Sequence, residues 1–174
     1  MTLHGLDDLD RRILSELQRD ARHVSSRDIA AEVAASPSTV RKRIKRLEEE
    51  GVLTAYRAEV DYERAGYQLH VQIACTAPVA DHDALGAAAL AVPGVVGVRE
   101  LATGARNVLV TVVGADGDDL TRIATALSDL GLTVLEEELV RSDRRRPFAG
   151  FEADPAVAAD RSRSDGSETG PGEP

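Results

Sequence analysis

Between Ser36 and Gly51 the chain reads SPSTVRKRIKRLEEEG, and its cations arrive together: Arg41, Lys42 and Arg43, then Lys45 and Arg46, with no acid among them. Positive charges this closely spaced meet phosphate oxygens through charge-assisted hydrogen bonds, and guanidinium adds a two-pronged geometry to the charge. Ahead of them stand the hydroxyls of Ser36, Ser38 and Thr39, short groups able to donate to or accept from a base edge. Both lysines of the chain, Lys42 and Lys45, lie here, against nineteen arginines overall. Hydroxyls leading and cations following suit the major groove of double-stranded DNA, where early side chains reach bases and cations meet phosphates. The plain alternative is a solvated charged face. Such faces usually alternate cations with acids, whereas here Glu48–Glu50 come only after the run, where they meet the helix dipole unfavourably.

That chemistry needs a helix with one buried edge. Ser36 can cap it, Pro37 suits its first position and Gly51 its left-handed end. Val40, Ile44 and Leu47 form one apolar stripe. At about 100° per residue, Ser38, Lys42, Lys45 and Arg46 fall opposite, with Thr39 close by and Arg41 and Arg43 flanking. The candidate DNA-binding residues are therefore Ser36, Ser38, Thr39, Arg41, Lys42, Lys45 and Arg46. A shorter helix precedes it, with Ser25 and Asp28 as a capping box and Ile29 and Val33 as a buried edge. A first helix runs from Leu6 or Asp7 to Arg19, with Leu9, Ile13, Leu14 and Leu17 inward and Asp7, Asp8 and Asp10 at its positive end. The three make a helix-turn-helix unit over 1–60. Val52–Val60, rich in β-formers, is expected to be an extended strand, as a wing or the start of a connection.

The ordered set of Leu9-Asp10, Asp20-Ala21-Arg22, Ser36, Val40-x-x-Arg43-Ile44-x-x-Leu47-Glu48 and Gly51–Tyr56 resembles the N-terminal half of the Lrp/AsnC family of transcription regulators. The resemblance implies a sequence-specific DNA-binding regulator, tuned by a small molecule such as an amino acid. A homodimer is expected, and the sequence leaves open whether dimers go on to tetramers or octamers.

After a linker at 61–66 the pattern changes. Tyr67–Thr76 alternates, with Tyr67, Leu69, Val71, Ile73 and Cys75 pointing one way, as a half-buried strand does. A helix over Asp81–Val92, strands over Val95–Ala102 and Val108–Val113, a helix over Asp116–Leu130 and a strand over Leu132–Val140 follow. The order βαββαβ is the ferredoxin-like split motif, so the fold class is α+β, with an effector and oligomerisation domain at 67–141. This again resembles the family, whose C-terminal effector domain has that topology. The turn Thr103–Asn107 needs Gly104 for positive φ. It is also similar to the family's small-molecule segment, where a Gly is followed three residues later by an Asp. Gly104 matches, whereas Asn107 and Arg106 favour an acidic ligand over a neutral amino acid. The effector-binding candidates are Thr103, Gly104, Arg106 and Asn107.

Residues 142–174 read as a charged, largely disordered tail, with Asp160–Pro174 disordered; Arg144–Arg146 followed by Pro147-Phe148 reads as a charged linker, with docking on the body or a phosphate contact as the alternative. Charge is uneven: residues 1–60 are net 0, 61–141 net −7 and 142–174 net −2, which leaves the DNA face on one side of an acidic body. With 43% hydrophobic residues but only 3% aromatics, the cores must be aliphatic, and small aliphatic domains gain from dimerisation. No run reaches the roughly 18 apolar residues of a membrane span and no signal pattern opens the chain, so a cytoplasmic protein is expected. A single cysteine, Cys75, and four scattered histidines, His4, His23, His70 and His82, disfavour a metal site. No cofactor is implied and no nucleophile motif occurs. Two alternatives stay open. One is a nucleoid-style DNA-organising protein of the same fold. The other is an enzyme, because sirohaem decarboxylases resemble this family; that reading wants clustered His, Arg and Tyr, and no Tyr follows Tyr67.

Overall fold

Three side-chain caps start the three N-terminal helices. In the computed structural model, which describes residues 5–151, Asp7 caps α1 (Asp8–Asp20), Ser25 caps α2 (Ser26–Glu32) and Ser36 caps α3 (Pro37–Glu49). Asp7 and Ser25 each form a reciprocal box with the acid three residues on, Asp10 and Asp28, which satisfies N–H groups that a helix start leaves orphaned. At the end of α3, Gly51 takes φ +70°. Its N–H reaches the Glu48 carbonyl at 3.0 Å, and the Val52 N–H reaches that of Leu47 at 2.9 Å. This two-bond lock requires a left-handed residue, a conformation glycine adopts without steric cost. The turn from α2 to α3 instead puts Ala34 at φ +51°, at a cost of about 1–2 kcal/mol.

Ile13, Leu14, Ile29, Ala30, Val40 and Leu47 form the core of this unit, with Leu9, Leu17, Val33, Ile44 and Leu53 packed around it. These are the stripes that helical spacing marks out. The expected strand over Val52–Val60 does not form. The N–H groups of Val52 and Leu53 both turn back to the Leu47 carbonyl, and Val52, Tyr56 and Val60 are exposed. β-forming residues without a partner strand have no ladder to hold them extended.

The described residues divide into two units: 5–57 together with 144–151, and Ala58–Asp143. The segment expected to be a charged linker is thus part of the helical unit. A single 3-10 turn, Ala149–Phe151, sets Phe151 against the helical core. Phe148 meets Phe151 edge-on at 5.1 Å, and its N–H donates to Gln18 Oε1 at 3.0 Å. These are the chain's only two phenylalanines, and their apolar area is what gives the segment reason to dock. His4 and the expected disorder of Asp160–Pro174 lie outside the described residues.

The second unit contains β1 (Leu69–Thr76), α4 (His82–Leu90), β2 (Val95–Glu100), β3 (Val108–Gly114), α5 (Gly117–Asp129) and β4 (Thr133–Leu139). The sheet order is β2-β3-β1-β4, with every neighbouring pair antiparallel, which is the split βαββαβ arrangement. Residues 61–66 form a turn near the start of this unit, and Tyr62 lies against the His70 ring at 5.6 Å. Register places Val71, Ile73 and Cys75 opposite Val112, Val110 and Val108. These six pack with Ala89 of α4 and with Ile123 and Leu127 of α5. His70, Gln72 and Ala74, paired with Val113, Thr111 and Leu109, alternate onto the other face.

Candidate nucleic-acid interface

Burial of Val40 and Leu47 fixes which way α3 is rolled. Ser38, Thr39, Arg41, Lys42 and Lys45 are exposed along it, and Ser36 is exposed at its cap. Ser36 Oγ accepts the Thr39 N–H at 3.1 Å and lies 2.8 Å from both Ser38 Oγ and Thr39 Oγ1. The hydroxyls form one cluster at the positive end of the helix; Ser36 Oγ is fully used by its three partners, while Ser38 and Thr39 keep spare bonding capacity. Lys45 Nζ lies 3.4 Å from Glu49, but its side chain is 75% exposed, so the pair holds it weakly.

Arg43 and Arg46 are placed differently. Asp10 of α1 has only 1% of its side chain exposed, and Arg43 Nη1 lies 3.3 Å from Asp10 Oδ1 and 2.6 Å from Asp7 Oδ2. Arg46 Nη2 donates a short hydrogen bond to Asp10 Oδ2, and its Nε is 3.8 Å from Glu50 Oε1. Helical spacing sets Arg46 on the outer face; the structure half-buries it and folds it back onto α1. Burial pushes the Asp7 carboxyl up, but the Asp10 N–H and the Arg43 guanidinium outweigh it and hold Asp7 below its ordinary value. Arg43 is raised in return, first by its hydrogen bond to Asp7. Sequence reasoning places Asp10 at the positive end of α1 and misses its pairing with the two arginines. Its signal is position: it precedes Ile13, Leu14 and Leu17 by three, four and seven residues, in the middle of the apolar stripe of α1.

An open groove runs between the starts of α2 and α3, lined by Ser25, Ser26, Arg27 and Asp28 on one side and Pro37, Ser38 and Arg41 on the other. Asp28 is committed to Ser25, accepting its N–H at 2.8 Å and its hydroxyl at 2.5 Å. The Ser25 hydroxyl and N–H hold that carboxyl below its ordinary value. Arg27 is exposed beside it, a cation absent from the sequence-derived set because only the fold brings α2 beside Arg41.

At the other candidate site, Gly104 takes φ +102°, and Thr103, Gly104 and Arg106 are exposed. Asn107 needs correction as a ligand-facing residue. It is buried; its Nδ2 donates to the Ala77 carbonyl at 2.8 Å and its Oδ1 accepts the Ala77 N–H at 2.9 Å. Its amide is spent closing the end of β1. Arg106 pairs with Glu136 of β4 at 2.7 Å. Among the described residues no group of three or more His, Cys, Asp or Glu side chains is placed to hold a metal ion. Nor is any helix among them long and apolar enough to cross a membrane.

The three-helix unit with its cationic third helix, followed by the split sheet, defines a helix-turn-helix protein with a ferredoxin-like domain. Residues 6–54 match the family described as winged helix-turn-helix DNA-binding. The HTH-type transcriptional regulator FL11 of Pyrococcus furiosus is 30% identical over 115 residues, 66% of this chain and 75% of its own length. An uncharacterized HTH-type transcriptional regulator of the same organism is 44% identical over 64 residues, where the chain spans only 43% of that relative's length. The crystal structure of the leucine response regulatory protein LrpA of Mycobacterium tuberculosis matches with a TM-score of 0.71 at 25% identity, over 82% of this chain and 100% of that one. The chain belongs to the Lrp/AsnC family of transcription regulators.

Proposed function

We propose that this protein is a sequence-specific transcription regulator that lays α3 in the major groove of double-stranded DNA. One observation carries the reading: Ser38, Thr39, Arg41, Lys42 and Lys45 are exposed together on a helix whose opposite edge, Val40 and Leu47, is wholly buried. The hydroxyls meet base edges, Arg41, Lys42 and Lys45 meet phosphates, and Arg27 adds a phosphate contact from α2. A regulator of this kind works beside DNA in the cytoplasm as a homodimer. The helix-free sheet face is the surface for a second copy, because the register puts the apolar Ala74, Leu109 and Val113 on it, and an apolar sheet face is costly to leave in water. The exposed turn Thr103, Gly104 and Arg106 is where a small anionic effector would act, in competition with Glu136 for the guanidinium.

The test is a salt titration of DNA binding by fluorescence anisotropy, on a site selected from a random pool and on random duplex. Lys42→Ala should flatten the slope of log K against log salt by about one, with melting temperature and dimerisation unchanged. Binding that ignores salt in the wild type would overturn the reading. Equal affinity for selected and random duplex would favour the DNA-organising alternative.

A further inference from the structure

We infer that Asp10 is a positioning residue that withdraws Arg43 and Arg46 from the DNA backbone and uses them to set the roll of α3. The inference rests on the DNA reading above and divides the cations of that helix by task. Sequence alone treats Arg41, Lys42, Arg43, Lys45 and Arg46 as one basic run. Geometry separates them. Arg41, Lys42 and Lys45 are exposed, while Arg43 and Arg46 are half-buried and converge from successive turns of α3 on one carboxylate that has lost nearly all its water.

A buried carboxylate without partners is strongly unfavourable, and removal of one member of such a cluster leaves the rest uncompensated. Asp10 therefore holds its two guanidiniums more tenaciously than an exposed acid would. Among the described residues the acids paired with them lie on α1 or at the caps of α1 and α3: Asp7 and Asp10 for Arg43, Asp10 and Glu50 for Arg46. A phosphate that recruited Arg46 would have to strip it from Asp10, so the counterions released from DNA on binding should be displaced by the other cations. The two arginines are spaced by three residues on α3, and they bond to a single residue on α1. That three-point link fixes rotation of α3 about its own axis, and rotation decides whether Ser38 and Thr39 reach the bases while Arg41 and Lys42 reach phosphates.

The experiment uses the full chain, a selected duplex and random duplex, and reads both the salt slope and the melting temperature. Arg46→Ala should lower the melting temperature and weaken binding to the selected duplex, while its salt slope stays at the wild-type value and Lys42→Ala flattens by about one. Arg46→Lys, which restores a cation for Asp10, should recover most of the melting temperature. Asp10→Asn should steepen the slope by up to about one, because Arg46 becomes available to phosphate; Arg43 keeps Asp7. Loss of structure alone would not steepen it. Flattening of the slope by about one in Arg46→Ala would make Arg46 a phosphate contact and overturn the inference, and this arm decides even if Asp10→Asn does not fold. If Lys42→Ala leaves the slope unchanged too, the DNA face itself is misassigned and the inference falls with it.

Discussion

Asn107 grips Ala77 with both ends of its amide, donating to the carbonyl at 2.8 Å and accepting from the N–H at 2.9 Å. The residue that opens β3 from the turn side thus closes the chain just beyond β1, and the backbone N–H of Asn107 adds a third bond to the Cys75 carbonyl at 3.1 Å.

Replacing this amide with a carboxylate tests the clamp. Asn107→Asp keeps the acceptor for the Ala77 N–H but sets an oxygen against the Ala77 carbonyl. The second unit should lose about 1–3 kcal/mol at neutral pH. Protonation lets the new carboxyl donate again, so its folded pKa is raised and the deficit should shrink as pH falls toward 5. Thermal melts of both proteins at pH 7 and pH 5 measure this. An unchanged melting temperature would mean that the amide does not hold the strand end.

Effector competition gives a second test. Arg106 is paired with Glu136 across two exposed side chains, and an incoming carboxylate must take Glu136's place. Glu136→Gln should strengthen the thermal shift produced by small carboxylates, and Arg106→Ala should abolish it. Stabilisation by a neutral amino acid that neither substitution alters would put the effector elsewhere.

Acid should loosen the link between α1 and α3. Asp7 ordinarily titrates near 3.8 and is held lower when folded. Its contribution is therefore complete above about pH 4–5 and is lost as pH falls through the folded value. Asp7→Asn retains a good helix cap and removes one of the two charges facing Arg43, leaving Asp10 in place. The gap in urea midpoint between wild type and Asp7→Asn should be steady from pH 7 to 5 and close below about pH 4. A gap that persists at lower pH would show that the pairing with Arg43 contributes nothing.

Phe151 packs on the helical core, and Phe148 packs on Phe151. Phe151→Ala should cost the helical unit about 2–4 kcal/mol, near the lower range for burying and then deleting an aromatic ring. Hydrogen exchange resolved by residue should show the loss in α1 and leave β1 and β3 unaffected. Protection in α1 that does not change would remove the docking of this segment.

What could be read from the sequence is what neighbours along the chain decide. The caps Ser25 and Ser36, the stop at Gly51 and the stripe of Val40, Ile44 and Leu47 depend on spacings of a few residues. So does the alternation of Val71, Ile73 and Cys75, and that set is buried together. The rest depended on partners far away. Asp10 meets arginines 33 and 36 positions on, and Asn107 meets a backbone 30 positions back. Val52–Val60 has the composition of a strand, but a strand exists only with a neighbour, and composition does not name one. The two phenylalanines lie beyond the sheet unit among arginines and polar residues, so a local window reads the segment as solvated.

Phe151 makes the helical unit discontinuous along the chain. Residues 58–143 intervene between its main body and the piece that docks on α1. Synthesis proceeds at roughly 5–20 residues per second, so the three helices leave the ribosome several seconds before that piece exists. During the interval the Gln18 side of α1 lacks its cover, and the sheet unit emerges and can fold first. The unit proposed to read DNA therefore acquires its full packing only as translation passes Phe151. A nascent chain, or one cut short within the sheet, carries the basic helix on an unfinished support.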